Sequence, residues 1–129
     1  MRLKNLIILI VCEIALDSMC TVHAANNANQ GEALFRSTCL TCHSLGPGAP
    51  RIGPDLAGVV RRQAGTLQGG MFSPAMRSSN IVWNTESLDR FLANPRQFVP
   101  STSMMYSLPD STQRSAVIDY LQQQTAAAK

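Results

Sequence analysis

Cys39-Leu40-Thr41-Cys42-His43 places two thiols and an imidazole within five residues, and no other stretch restricts the folding of this chain as tightly. A C-x-x-C-H run is the attachment signature of a c-type haem. Each thiol can add across one vinyl group, and the two intervening residues let both sulfurs reach one edge of the porphyrin. The imidazole that follows then lies under the iron and can ligate it. Other chemistries use the same residue types. As a zinc site the motif supplies three ligands, and the other histidine, His23, stands near the N-terminus in a leader-like segment. As a dithiol redox pair it needs a βαβ setting, and no run of this chain alternates convincingly as a strand. The bland alternative is incidental placement, set against the fact that these are the only cysteines after residue 24.

Residues 1–24 read as an export signal peptide. Arg2 and Lys4 give a positive start, Leu6 to Leu16 an apolar centre, and Val22-His23-Ala24 a small-residue cleavage site. Glu13 and Asp17 interrupt the apolar run, which counts against an uncleaved membrane anchor, since a span needs about 20 apolar residues. Asp17-Ser18-Met19 before Cys20 is a poor lipoprotein site. Residues 25–129 then form one small domain with no integral membrane segment, placed in the periplasm. A covalent haem is a coherent fate for a cysteine pair in an oxidising compartment. It also provides buried apolar surface that a domain of this size is short of. From residue 25 onward there are nine basic and six acidic residues, a net +3 that suits steered docking on acidic partners and falls well short of a nucleic-acid binder.

Helix signals outnumber all others. Asn29 is a candidate cap for a helix through Cys39, with Glu32 in its first turn and Ala33, Leu34 and Phe35 giving an apolar side. Ser44 to Gly70 is rich in Gly and Pro and predicts irregular loop. Ser73-Pro74 opens a short helix to about Ser79. Thr85 is a candidate cap for a helix bearing Leu88, Phe91 and Leu92, which must end near Asn94 because Pro95 follows. Asp110 opens the last helix with Gln113 as its capping-box partner, and residues 125–129 are expected to fray. The class is all-α.

Taken together these motifs resemble the class I cytochromes c of the mitochondrial and α-proteobacterial type, from about Gly31 to Gln123. Gly31 with Phe35 is similar to the family's first helix, which crosses the last one where Tyr120 and Leu121 fall. Gly53-Pro54-Asp55-Leu56 resembles the loop whose proline carbonyl accepts a hydrogen bond from the proximal histidine. The segment Asn94 to Met104 is similar to the one that delivers the distal methionine. The resemblance implies a small helical fold wrapped around one haem c, bound covalently through Cys39 and Cys42, with His43 and Met104 on the iron. Met71, Met76 and Met105 are then gap-filling residues, and Met105, one position away, is the rival ligand. It further implies Pro54 as the acceptor that orients His43, Trp83 and Arg62 near a haem propionate, and Thr102 as a hydroxyl in the same region. Arg61 is easily confused with Arg62, and Gly65 supplies a turn in that loop.

The departures from the family are specific. Phe91 stands where mitochondrial members carry a tyrosine, Ser101 replaces a glycine, and the loop from His43 to Gly53 is one residue shorter. Thr38 and Ser103 take the place of two lysines around the haem edge, and Arg96 keeps charge at a third. With both axial positions filled, the implied function is outer-sphere electron transfer by a monomeric, non-enzymatic carrier. A quinol-oxidising complex or an exported dehydrogenase is the expected donor and a terminal oxidase the expected acceptor. The competing functions are a dedicated subunit of one exported dehydrogenase and a haem peroxidase with a labile distal Met104.

Overall fold

Phe35 and Tyr120 set their rings 5.6 Å apart, and this contact joins the two ends of the domain. The structure is a computed structural model that describes residues 26–46, 48 and 51–127, so the leader expected over 1–24 and the last two residues of the tail lie outside it. Among the described residues five helices follow in order: α1 through residues 26–38, α2 Pro74–Arg77, α3 Thr85–Ala93, α4 Pro95–Phe98 and α5 Ser111–Ala127. A single 3-10 turn, Cys39–Thr41, continues α1. Among the described residues the extended pairing is limited to one antiparallel bridge, Gln63 with Val82. The fold is all-α.

Local chemistry sets most of the boundaries. The Ser73 side chain accepts from the Met76 N–H, and Pro74 occupies the first turn of α2, where its missing donor costs nothing. Asn94 caps α4 in the same way, again with proline next. At α5, the Asp110 carboxylate accepts from the Gln113 N–H at 2.9 Å.

Three boundaries differ from expectation. Helix α1 already includes residues 26–29, so Asn29 lies inside it. Tertiary contacts extend it there: Ala28 is buried, and the Asn27 amide donates to the Asp119 carboxylate on α5. The cap of α3 is Asn84, which exchanges reciprocal bonds with Ser87, and Thr85 is the first helical residue. Asn is at least as good a cap as Thr, and the serine three residues on completes the box. The tail is helical to Ala127, favoured by its Ala and Gln content and by the Thr125 hydroxyl donating to the Leu121 carbonyl at 2.9 Å.

The core lies between α1, α3 and α5. Phe35, Val117 and Ile118 are completely enclosed, each contributing roughly 1.5–3 kcal/mol by removal from water. Gly31 allows α1 to sit directly on the backbone of α5 at Ala116. Arg114 ties α5 to α3 through Asp89 at 2.6 Å, and its guanidinium also donates to the Leu108 and Pro109 carbonyls. The irregular residues 51–73 and the segment after α4 lie against this helical frame, and residues of all three line the cleft. No helix among the described residues is long and apolar enough to cross a membrane.

Candidate cofactor cleft

The C-x-x-C-H segment is held from behind by a short ladder. The Gly53 N–H donates to the Cys42 carbonyl at 2.7 Å and the Leu56 N–H to the Ser44 carbonyl at 2.9 Å. Between these rungs the His43 Nδ1–H donates to the Pro54 carbonyl at 2.8 Å. Proline suits this place because its fixed φ presents the carbonyl without a competing N–H of its own. The bond fixes the tautomer and leaves Nε2 as the ring's free lone pair. Burial lowers the His43 pKa, against the opposing pull of the Pro54 bond and the charge of Asp55, so the imidazole is kept in the neutral form that binds metal.

His43 and Cys39 face an apolar cleft of about 880 Å³, measured with its open mouth. Phe35, Leu88, Phe91, Val117 and Leu121 from three helices line it, as do Thr102 and Met104 from the segment after α4. Burial and the neighbouring Cys42 push the Cys39 thiol up to about 11, so it is a neutral thiol at pH 7. Among the described residues no three His, Cys, Asp or Glu side chains come together as a metal-binding set. His23, the further histidine the zinc alternative would need, lies outside the described residues. Cys42 is half-buried and, unlike Cys39, is not part of the cleft wall.

The other sequence-selected residues meet at the same cleft. The Arg61 N–H donates to the Trp83 carbonyl and the Trp83 N–H to the Arg62 carbonyl, at 2.7 and 3.0 Å. This pairing puts Arg62 and Trp83 together in the wall, while Arg61, at φ +73°, projects into solvent. The Arg62 guanidinium donates to the Ala57 and Asp55 carbonyls at 2.9 and 2.7 Å, and burial lowers its pKa without threatening its charge. Thr102 is the buried polar residue of the core, 4% exposed, and its hydroxyl accepts from the Met104 N–H at 3.5 Å. Met105 points away, 76% exposed. Met71 is also largely exposed and only Met76 is a core residue, so the gap-filling role expected of all three holds for one. Phe91 packs between Trp83, at a tilt, and Phe98, edge-on, with ring centroids 5.1 and 6.4 Å away.

The residues suit a haem: an apolar slot for the macrocycle, a thiol and an oriented imidazole at one wall, a thioether in the lining, and a half-buried guanidinium for carboxylate charge. The Cytochrome c family model matches residues 28–125, which spans every element of this cleft. The chain belongs to the cytochrome c family. It is 37% identical over 102 residues to cytochrome c2 of Blastochloris viridis, covering 78% of this chain and 80% of that one. Similarity extends to cytochrome c of Guizotia abyssinica, 36% identical over 104 residues, with 79% and 94% covered. Cytochrome c 2.1 of Caenorhabditis elegans is 32% identical over 103 residues, with 79% and 93% covered. This class I cytochrome c is a haem electron-transfer protein, and Cys39 and Cys42 are the cysteine pair through which the family holds haem c. Bound in the cleft, haem supplies a one-electron iron couple. The chain supplies the apolar surroundings, the oriented imidazole and the countercharge.

Sequence reasoning passed over Asp55 as a side chain. Its carboxylate accepts from the Ser44 hydroxyl, the Gly46 N–H and the Ala57 N–H at 2.6–2.7 Å, bracing the turn that carries Pro54. An aspartate two residues before a free backbone N–H is the local signal for such a turn.

Proposed function

We propose that this cytochrome c is an exported, monomeric carrier of single electrons whose iron is ligated by His43 and Met104. One observation carries the reading: the imidazole anchored to Pro54 at 2.8 Å faces the same cleft that Met104 lines, while Met105 is turned out to solvent. A neutral thioether favours ferrous over ferric iron, so this ligand pair raises the reduction potential. With both axial positions taken, substrate has no access to the metal and the protein acts as a carrier without enzymatic turnover. The composition of residues 1–24 supports export to the periplasm. There the carrier takes electrons from a quinol-oxidising complex or a dehydrogenase and delivers them to a terminal oxidase through small, transient contacts.

The test is optical. The ferric protein is expected to be low-spin, with the weak far-red band of methionine-to-iron charge transfer. Met104→Ala should abolish that band and Met105→Ala should preserve it. The opposite pattern transfers the ligand to Met105, and a high-spin ferric protein at neutral pH overturns the carrier reading in favour of an enzyme.

A further inference from the structure

The carboxylate of Asp55 has no part in the reading above, yet it is the most heavily bonded acidic group near the cleft. One oxygen accepts from the Ser44 hydroxyl at 2.6 Å and from the Gly46 N–H at 2.7 Å, and the other from the Ala57 N–H at 2.7 Å. Three donors hold the ionised form in one orientation. Two of them belong to the loop just after His43, and Asp55 itself follows the Pro54 carbonyl that His43 bonds. The carboxylate thus spans the gap between the imidazole's own segment and its acceptor. The Arg62 guanidinium bonds the backbone carbonyl of Asp55 and leaves the carboxylate alone. Neither ion pair among the described residues includes Asp55.

We infer that Asp55 is a positioning and charge-setting residue for the redox centre: it braces the Pro54 carbonyl against His43 and fixes a negative charge behind the imidazole, which lowers the reduction potential. The inference rests on His43 being an iron ligand. A negative charge behind the ring stabilises the oxidised iron more than the reduced, because the oxidised centre carries one more positive charge. Part-burial keeps that interaction from being screened as an exposed charge would be. The guanidinium of Arg62 opposes it in part, which limits the effect to about tenfold in the one-electron equilibrium, or ~59 mV.

Two variants separate charge from scaffold in the haem-loaded protein. Asp55→Asn keeps the size and one acceptor oxygen but removes the charge. Ser44→Ala removes one tether and keeps the charge. Potentiometric titration should show Asp55→Asn shifted toward the reduced form by about tenfold, and Ser44→Ala within about twofold of the parent. Ser44→Ala should still speed exchange of the His43 ring N–H proton, followed by NMR in the reduced protein. No shift in Asp55→Asn, or equal shifts in both variants, overturns the inference and leaves Asp55 a loop brace. If Asp55→Asn does not accumulate, Asp55→Glu and Asp55→Gln, which differ only in charge, give the same contrast. An unsubstituted protein without a low-spin spectrum removes the ligand reading itself, before any variant is compared.

Discussion

Gly31 lies so close to Ala116 that a methyl group on it would sit 1.9 Å from the Ala116 carbonyl oxygen. The obstacle is backbone in the middle of α5, so no side-chain rotation relieves it. In an ordinary helix interior, Gly→Ala stabilises by about 1 kcal/mol. Here Gly31→Ala should destabilise by about 1–3 kcal/mol, the usual cost of overpacking, because α1 has to lift off α5. Guanidinium unfolding of the haem-loaded protein reads the sign, and a stabilised Gly31→Ala contradicts the close crossing.

A methyl at Gly53 meets the imidazole itself, 2.4 Å from Cε1 and 2.7 Å from Nδ1 of His43. Gly53→Ala should push the ring off the Pro54 carbonyl while leaving the ladder around it in place. The expected signature is high-spin character in the ferric spectrum together with a folded far-ultraviolet circular dichroism profile. A spectrum indistinguishable from the parent means the ring can move aside without cost.

Ser101 adopts φ +67°, in the left-handed region that favours glycine. That conformation costs a side-chain-bearing residue roughly 1–2 kcal/mol, and glycine's looser unfolded chain returns about 0.5–1 kcal/mol of the gain. Ser101→Gly should therefore stabilise the protein by about 0.5–1 kcal/mol, measured as a higher denaturant midpoint at unchanged slope. Ser101→Val should lower the midpoint.

Burial first, then the Glu32 charge, raise the Tyr120 pKa above its ordinary 10, with Arg36 opposing. Below pH 10 both folded and unfolded states keep the proton, and the contribution to stability is fully present. As pH climbs past the ordinary value, the unfolded state ionises first and that contribution drains away until the folded pKa is passed. Stability measured from pH 8 to 11.5 should fall more steeply for the parent than for Tyr120→Phe. Parallel curves exclude Tyr120 as the source of the alkaline limb.

What was legible in the sequence tracks how local the physics is. Ser73-Pro74 and Asp110 announced their helices because a cap is read from a few neighbouring residues. The C-x-x-C-H motif, Gly53-Pro54 and the Met104 segment were legible because each carries its chemistry in a fixed spacing. The start of α1 was not, since Asn27 is helical on account of Asp119, far along the chain. Asn84 outcompeted Thr85 because both can cap and only the partner Ser87 decides between them. Arg61 and Arg62 could be told apart only through the pairing with Trp83, which periodicity does not encode. Asp55 was hidden for the same reason: two of its three donors, at Ser44 and Gly46, sit across a loop whose closure the sequence does not display.

The Asn27–Asp119 bond bridges 92 positions, and drawing such distant points together costs about 4 kcal/mol of chain entropy before any contact repays it. The first and last turns of the domain are therefore each other's precondition. A message cut short after Pro109 would still encode the thiols, the histidine and the methionine, yet yield a polypeptide without the wall that Val117 and Leu121 contribute. In that sense the quality check on this haem protein is written at its far end, in the last helix to leave the ribosome.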